Sequence, residues 1–83
     1  MLNKKIVKIL YGIEELLKIK GVPFKPSAYH KAALSLENLE QDVSFIYEKD
    51  GLKGLEKISG VGKSIAKKIE EYMKKGRINY YEN

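Results

Sequence analysis

Eighty-three residues, of which 43% are hydrophobic and a third charged, supply apolar material for one small core and not for two, so a single globular domain is expected. With no cysteine, disulfides and thiolate metal sites are excluded, and no stretch is apolar for the length that a membrane span requires. The net charge of +5 suits a polyanionic partner better than an acidic protein surface would.

Asn3 reads as the cap of a first helix, whose residues Ile6, Ile9, Leu10, Ile13, Leu16 and Leu17 follow the 3-4 spacing of one buried stripe. Lys4, Lys5 and Lys8 interrupt any signal-peptide core there. Gly21 is placed as the helix stop, and Pro23 and Pro26 prevent continuation. The connector Val22-Pro23-Phe24-Lys25-Pro26 sets an aromatic beside a cation. Phe24 either stacks on a nucleobase while Lys25 meets a phosphate, or folds back as a lid on the core.

Pro26-Ser27 opens a second helix running to Leu36, with Tyr29 and Ala33 on one face. His30 has no histidine or cysteine partner at ligand spacing, and is read as a solvated or phosphate-facing side chain. Asp42 caps a third helical stretch carrying Val43, Ile46 and Tyr47, and Asp50-Gly51 signals a turn before a short helix from Leu52 to Lys57.

Leu55 to Ile69 is the most specific stretch. Leu55 and Ile58 precede a Gly60-Val61-Gly62 corner, and Ile65, Ala66 and Ile69 follow it at helical spacing, so that two short helices can close on each other. Glycines let a backbone approach a ligand closely, and the first amides of the following helix, Gly62, Lys63 and Ser64, are unpaired where the macrodipole favours an anion. The pattern resembles the helix-hairpin-helix motif, a sequence-independent binder of DNA backbone; a tight helix connection with no ligand is the plainer reading. The final helix runs from Lys63 to about Lys75 and stops at Gly76. Residues 77–83 lack a helical period and read as a tail or the start of a linker.

Charge is distributed unevenly. The lysines of residues 1–31 face only Glu14 and Glu15, and Lys63, Lys67, Lys68, Lys74, Lys75 and Arg77 face only Glu70 and Glu71. Between them, residues 36–50 carry Glu37, Glu40, Asp42, Glu48 and Asp50 against Lys49 alone, so a basic and an acidic side are expected. Lys68 borders the apolar stripe of the last helix, which should pack part of its stem. Periodicity alone treats it as one more phosphate contact or solvated lysine.

Phe24 to Ala33, Leu55 to Tyr72 and Gly76 together resemble the N-terminal domain of X-family DNA polymerases, the prokaryotic branch above all. The resemblance implies an all-α, compact bundle of four to five short helices containing one helix-hairpin-helix motif over 1–83, with 76–83 beginning a linker to a polymerase domain in cis. It implies recognition of the 5′-phosphate side of gapped or nicked DNA. It also implies a 5′-deoxyribose phosphate lyase in which Lys68 attacks C1′ and β-elimination follows, without a cofactor; a non-catalytic backbone binder is the alternative. Lys68 is then catalytic, and Phe24, Lys25, Tyr29, Lys31, Gly60, Gly62, Lys63, Ser64 and Lys67 contact DNA. The backbone carbonyls of Glu56, Ile58 and Val61 would hold a sodium or potassium ion. Ser64 and Tyr80 stand where the family carries phosphate-binding lysines. A monomeric, cytoplasmic, nucleoid-associated protein without membrane contact completes the expectation.

Overall fold

The computed structural model describes residues 1–79, which form four helices: α1 (Leu2–Ile19), α2 (Lys25–Glu37), α3 (Val43–Glu56) and α4 (Lys63–Lys75). Two pairings organise them, α1 on α2 and α3 on α4, with a smaller contact between α1 and α3. The fold is all-α, as the periodicities indicate. No described helix is long and apolar enough to cross a membrane.

The stripe of α1 buries Ile6, Leu10, Ile13 and Leu17 against Tyr29, Ala32, Ala33 and Leu36 of α2. The two alanines are fully buried, and their small side chains allow the helices to approach closely. Polar contacts seam the same junction. Glu14, buried at 6% exposure, accepts from Lys18 Nζ and pairs with His30 Nδ1, both at 3.1 Å; the Tyr11 hydroxyl donates to Glu37 Oε1 at 2.8 Å. Burial pushes the Glu14 carboxyl up, but the hydrogen bonds from Lys18 and His30 outweigh it and hold the group below the ordinary carboxylate range. His30 stays solvent-exposed, as the sequence reading has it, and its Nδ1 contact with Glu14 also ties it to α1.

Helix α3 is broken at Gly51, whose φ of 66° and ψ of −151° lie outside the helical region. The Asp50-Gly51 turn signal was sound, although the chain resumes its helix at once. Across that kink a Cβ on Gly54 would lie 2.7 Å from Asp50 Cβ and 3.1 Å from Ile46 O, so only glycine fits. Leu55, Ile58, Val61, Ile65, Ala66 and Ile69 then close α3 on α4, joined by a hydrogen bond from the Tyr47 hydroxyl to Glu70.

The start of α1 differs from the sequence expectation. Met1, not Asn3, occupies the capping position; Asn3 lies inside the helix, 5% exposed, donating to Gln41 O at 2.8 Å and accepting from Val43 N at 2.7 Å. A long-range partner has outcompeted the local cap. Asp42 does cap α3, accepting from Ser44 N at 2.9 Å, and its second oxygen accepts Leu2 N at 2.8 Å. One residue thus ties the first turns of two helices. At the other end Gly76 takes the left-handed conformation and stops α4, yet Ile78 is 2% exposed and Asn79 N donates to Glu71 Oε2. Core packing continues beyond Gly76, where the sequence reading begins a linker. Tyr80 lies outside the described residues.

The Asp42 carboxyl experiences burial, which raises its pKa, and hydrogen bonds from Ser44 and Leu2, which lower it more. The net lowering means that its contribution is complete above the unfolded-state value and disappears as pH falls through the native one. Asp42→Ala is expected to cost about 1–2 kcal/mol at neutral pH. In urea unfolding the difference from the unmodified chain should shrink below about pH 4.

Candidate nucleic-acid interface

The corner joining α3 to α4 is held by three features. Val61 is 4% exposed and anchors the tip in the core, while its N–H donates to Ile58 O at 3.0 Å and closes the turn. Gly60 has φ of +79°, and a Cβ there would meet Lys31 Cγ at 3.0 Å and the backbone of Lys31 and Ala32 at 3.4 Å. This glycine serves the docking of the corner on α2. Gly62 is different: it is the cap residue of α4, extended at φ −90° and ψ −173°, with nothing within 4 Å of its would-be Cβ. Open space lies over it, and no side chain caps the first amides of α4.

Docking of Gly60 on α2 creates a cleft of about 330 Å³ lined by Lys25, Ala28 and Tyr29 from α2, Gly60 and Gly62 from the corner, and Lys63, Ser64, Ile65 and Lys68 from α4. Two helix N-termini therefore face it, and with three lysines the site is electropositive. Tyr29 is 6% exposed and forms part of the wall. Lys68 Nζ lies 5.9 Å from its ring centroid and donates to Ser64 Oγ at 3.1 Å, an i,i+4 pair along α4.

The remaining sequence candidates lie elsewhere. Lys31 lines a groove between α2 and α3 with Lys57 and Asp50, its stem against Gly60. Lys67 is exposed on α4 and outside the cleft lining. Phe24 is 88% exposed, which removes the reading as a lid on the core, and borders a second cleft with Lys18, Glu14 and His30. Glu14, buried within the molecule yet lining that second cleft, was missed by sequence reasoning. Its i,i+4 spacing to Lys18 was the available signal.

Phe24 pays for its exposure in backbone geometry. Its φ of 68° and ψ of −43°, with Lys25 N donating to Pro23 O at 2.8 Å, describe a γ-turn of the strained hand. It is the sole non-glycine residue with positive φ among the described residues. The turn is braced from the helix side, where Ser27 Oγ donates to Phe24 O at 3.0 Å, and it starts α2 at Lys25, one residue before the expected Pro26.

A family model described as "Helix-hairpin-helix domain" matches residues 1–78. The chain belongs to that family. Over 84 aligned residues it is also 37% identical to the N-terminal region of "DNA polymerase/3'-5' exonuclease PolX" from Bacillus subtilis (strain 168), an X-family polymerase. The alignment covers all of this chain and 14% of that relative, so the helix-hairpin-helix domain spans about one seventh of its length. No solved structure matches.

Within this helix-hairpin-helix domain, the three residues whose carbonyls the family resemblance assigns to a monovalent cation flank the turn. Glu56 ends α3, and Ile58 and Val61 are the acceptor and donor residues of the closing hydrogen bond. Ile58 O keeps a second lone pair, and the described residues contain no cluster of three His, Cys, Asp or Glu side chains for a metal.

Phe24 and Gly60 should respond to substitution in opposite senses. At position 24, glycine is expected to give a more stable domain than alanine by about 1 kcal/mol, because it takes positive φ at no steric cost. Gly60→Ala is expected to lower stability by about 2 kcal/mol through the same backbone penalty plus collision with α2. Thermal and urea unfolding of the three variants measure both.

Proposed function

We propose that this helix-hairpin-helix domain binds DNA through its phosphate backbone, at the 5′-phosphate side of a gap or nick, and that Lys68 serves there as the amine of a 5′-deoxyribose phosphate lyase. The observation that carries the reading is the cleft itself: Lys25, Lys63 and the open first turn of α4 line one space that Lys68 lines as well. Family membership and likeness to a DNA polymerase support DNA binding in the context of a polymerase.

The chemistry runs on this chain's own groups. Lys25, Lys63 and the amides after Gly62 hold a terminal phosphate, and Ser64 Oγ–H donates to it. The sugar attached to that phosphate then extends toward Lys68. As a free amine, Nζ adds to the C1′ aldehyde; loss of water gives an iminium ion, and removal of a C2′ proton expels the 3′ phosphate with the electron pair of its C–O bond. Phe24, Lys31 and Lys67, outside the cleft, contact neighbouring parts of the strand. The carbonyls of Glu56, Ile58 and Val61 would hold a sodium or potassium ion, which would stiffen the corner. The domain acts as a monomer in cis with a polymerase domain, in the cytoplasm with the nucleoid. The alternative of a backbone binder without catalysis has the same cleft and differs only in the fate of Lys68.

Two measurements test this. Affinity for a gapped duplex should fall steeply with salt, with a log-log slope of about −2 to −4 for the cleft and flanking lysines. Borohydride should trap a covalent adduct with a pre-incised abasic duplex, and Lys68→Ala should abolish the adduct while the duplex still binds. Binding without an adduct in the unmodified chain leaves the architectural alternative. Replacing Na⁺ or K⁺ by choline at equal ionic strength is expected to weaken binding several-fold, as the corner loses its ion.

A further inference from the structure

We infer that Ser64 is a positioning residue for Lys68: its hydroxyl holds the amine at the mouth of the cleft and links it to whatever anion the first turn of α4 binds. The inference deepens the proposed function and rests on its reading of Lys68.

A lysine on a helix surface ordinarily samples many rotamers, and its stem carries up to about 2 kcal/mol of conformational entropy. Lys68 is restrained on two sides. Its Nζ donates to Ser64 Oγ at 3.1 Å, one helical turn toward the N-terminus, and lies 5.9 Å from the centroid of the Tyr29 ring, which is fixed in the core. Long side chains on a helix lean toward its N-terminus, so an acceptor four residues back is where Lys68 can reach without leaving a favoured rotamer. Both residues, with Tyr29, line the same cleft.

The polarity of the contact matters. An amine or ammonium donates to the hydroxyl oxygen, and the hydroxyl proton remains available to a second acceptor. Ser64 is the second residue of α4, beside the uncapped amides. A phosphate oxygen seated on that turn would accept the Ser64 proton and complete a chain from Lys68 Nζ–H through Oγ–H to the anion. Phosphate binding would then align the hydroxyl and tighten the hold on the amine. A neutral hydroxyl does this without adding a second positive charge beside Lys68, as another lysine would.

The test compares Ser64→Ala and Ser64→Thr in the full chain with two readouts. The first is the side-chain NMR order of Lys68 Cε, with exposed Lys67 as internal reference, with and without inorganic phosphate. Lys68 should be more ordered than Lys67 in the unmodified chain, fall toward the Lys67 level in Ser64→Ala, and recover in Ser64→Thr. The second is the single-turnover trapping rate at saturating pre-incised abasic duplex, where affinity no longer enters. Ser64→Ala should lower it about five- to tenfold, the value of one hydrogen bond, and Ser64→Thr should restore most of it. Equal Lys68 order in all three proteins overturns the inference, as does an unchanged trapping rate in Ser64→Ala. If the unmodified chain forms no adduct, the lyase reading fails by itself, and the NMR comparison still decides whether Ser64 holds Lys68.

Discussion

The approach of Gly60 to the backbone of α2 is the constraint on which the site depends. The molecule consists of two helical pairs, α1 with α2 and α3 with α4, which share one apolar core. The tight corner of the second pair seats against Lys31 and Ala32 of the first because no Cβ stands between them. That contact sets the first turn of α2 opposite the first turn of α4. The cleft lies beside two helix starts, and its positive character comes from three lysine side chains with a smaller contribution from the helix termini.

Around this junction the polar groups divide into those that hold the pairs together and those left for a ligand. Asn3 and Asp42 consume their hydrogen-bonding capacity on the starts of α1 and α3. Glu14 is satisfied by Lys18 and His30. No side chain caps α4, and its capping residue is exposed with nothing within 4 Å of its would-be Cβ. Unpaired backbone donors cost free energy when buried and little when open to water, so an open helix start is a stable arrangement that a phosphate can still improve. Phe24 follows a similar logic: a strained turn presents an aromatic side chain to solvent where a relaxed loop would let it fold inward.

How far the site was legible differs residue by residue. Lys25, Tyr29, Gly60, Gly62, Lys63, Ser64 and Lys68, drawn from two stretches thirty residues apart, line one cleft. Local pattern located each stretch, and family likeness joined them. Lys31 and Lys67 belong to the same runs, but the helical repeat turns them away from the cleft. Asn3 was misread as a cap, and the Glu14 partner of exposed His30 was not foreseen, for one reason. A sequence pattern sees neighbours within a turn of helix, whereas Asn3 is occupied by Gln41 and Val43, and His30 by Glu14.

The sequence by itself determined the four helices, their buried stripes and the glycine corner, because these rest on periodicities and backbone preferences that act over a few residues. The break at Gly51 and the stop at Gly76 were equally local. Only the tertiary structure decided that Gly60 serves packing while Gly62 faces open space, that Phe24 points outward through a strained turn, and that Ile78 returns to the core. Each of those outcomes depends on what a distant helix brings within a few ångströms, and spacing along the chain carries no record of that distance.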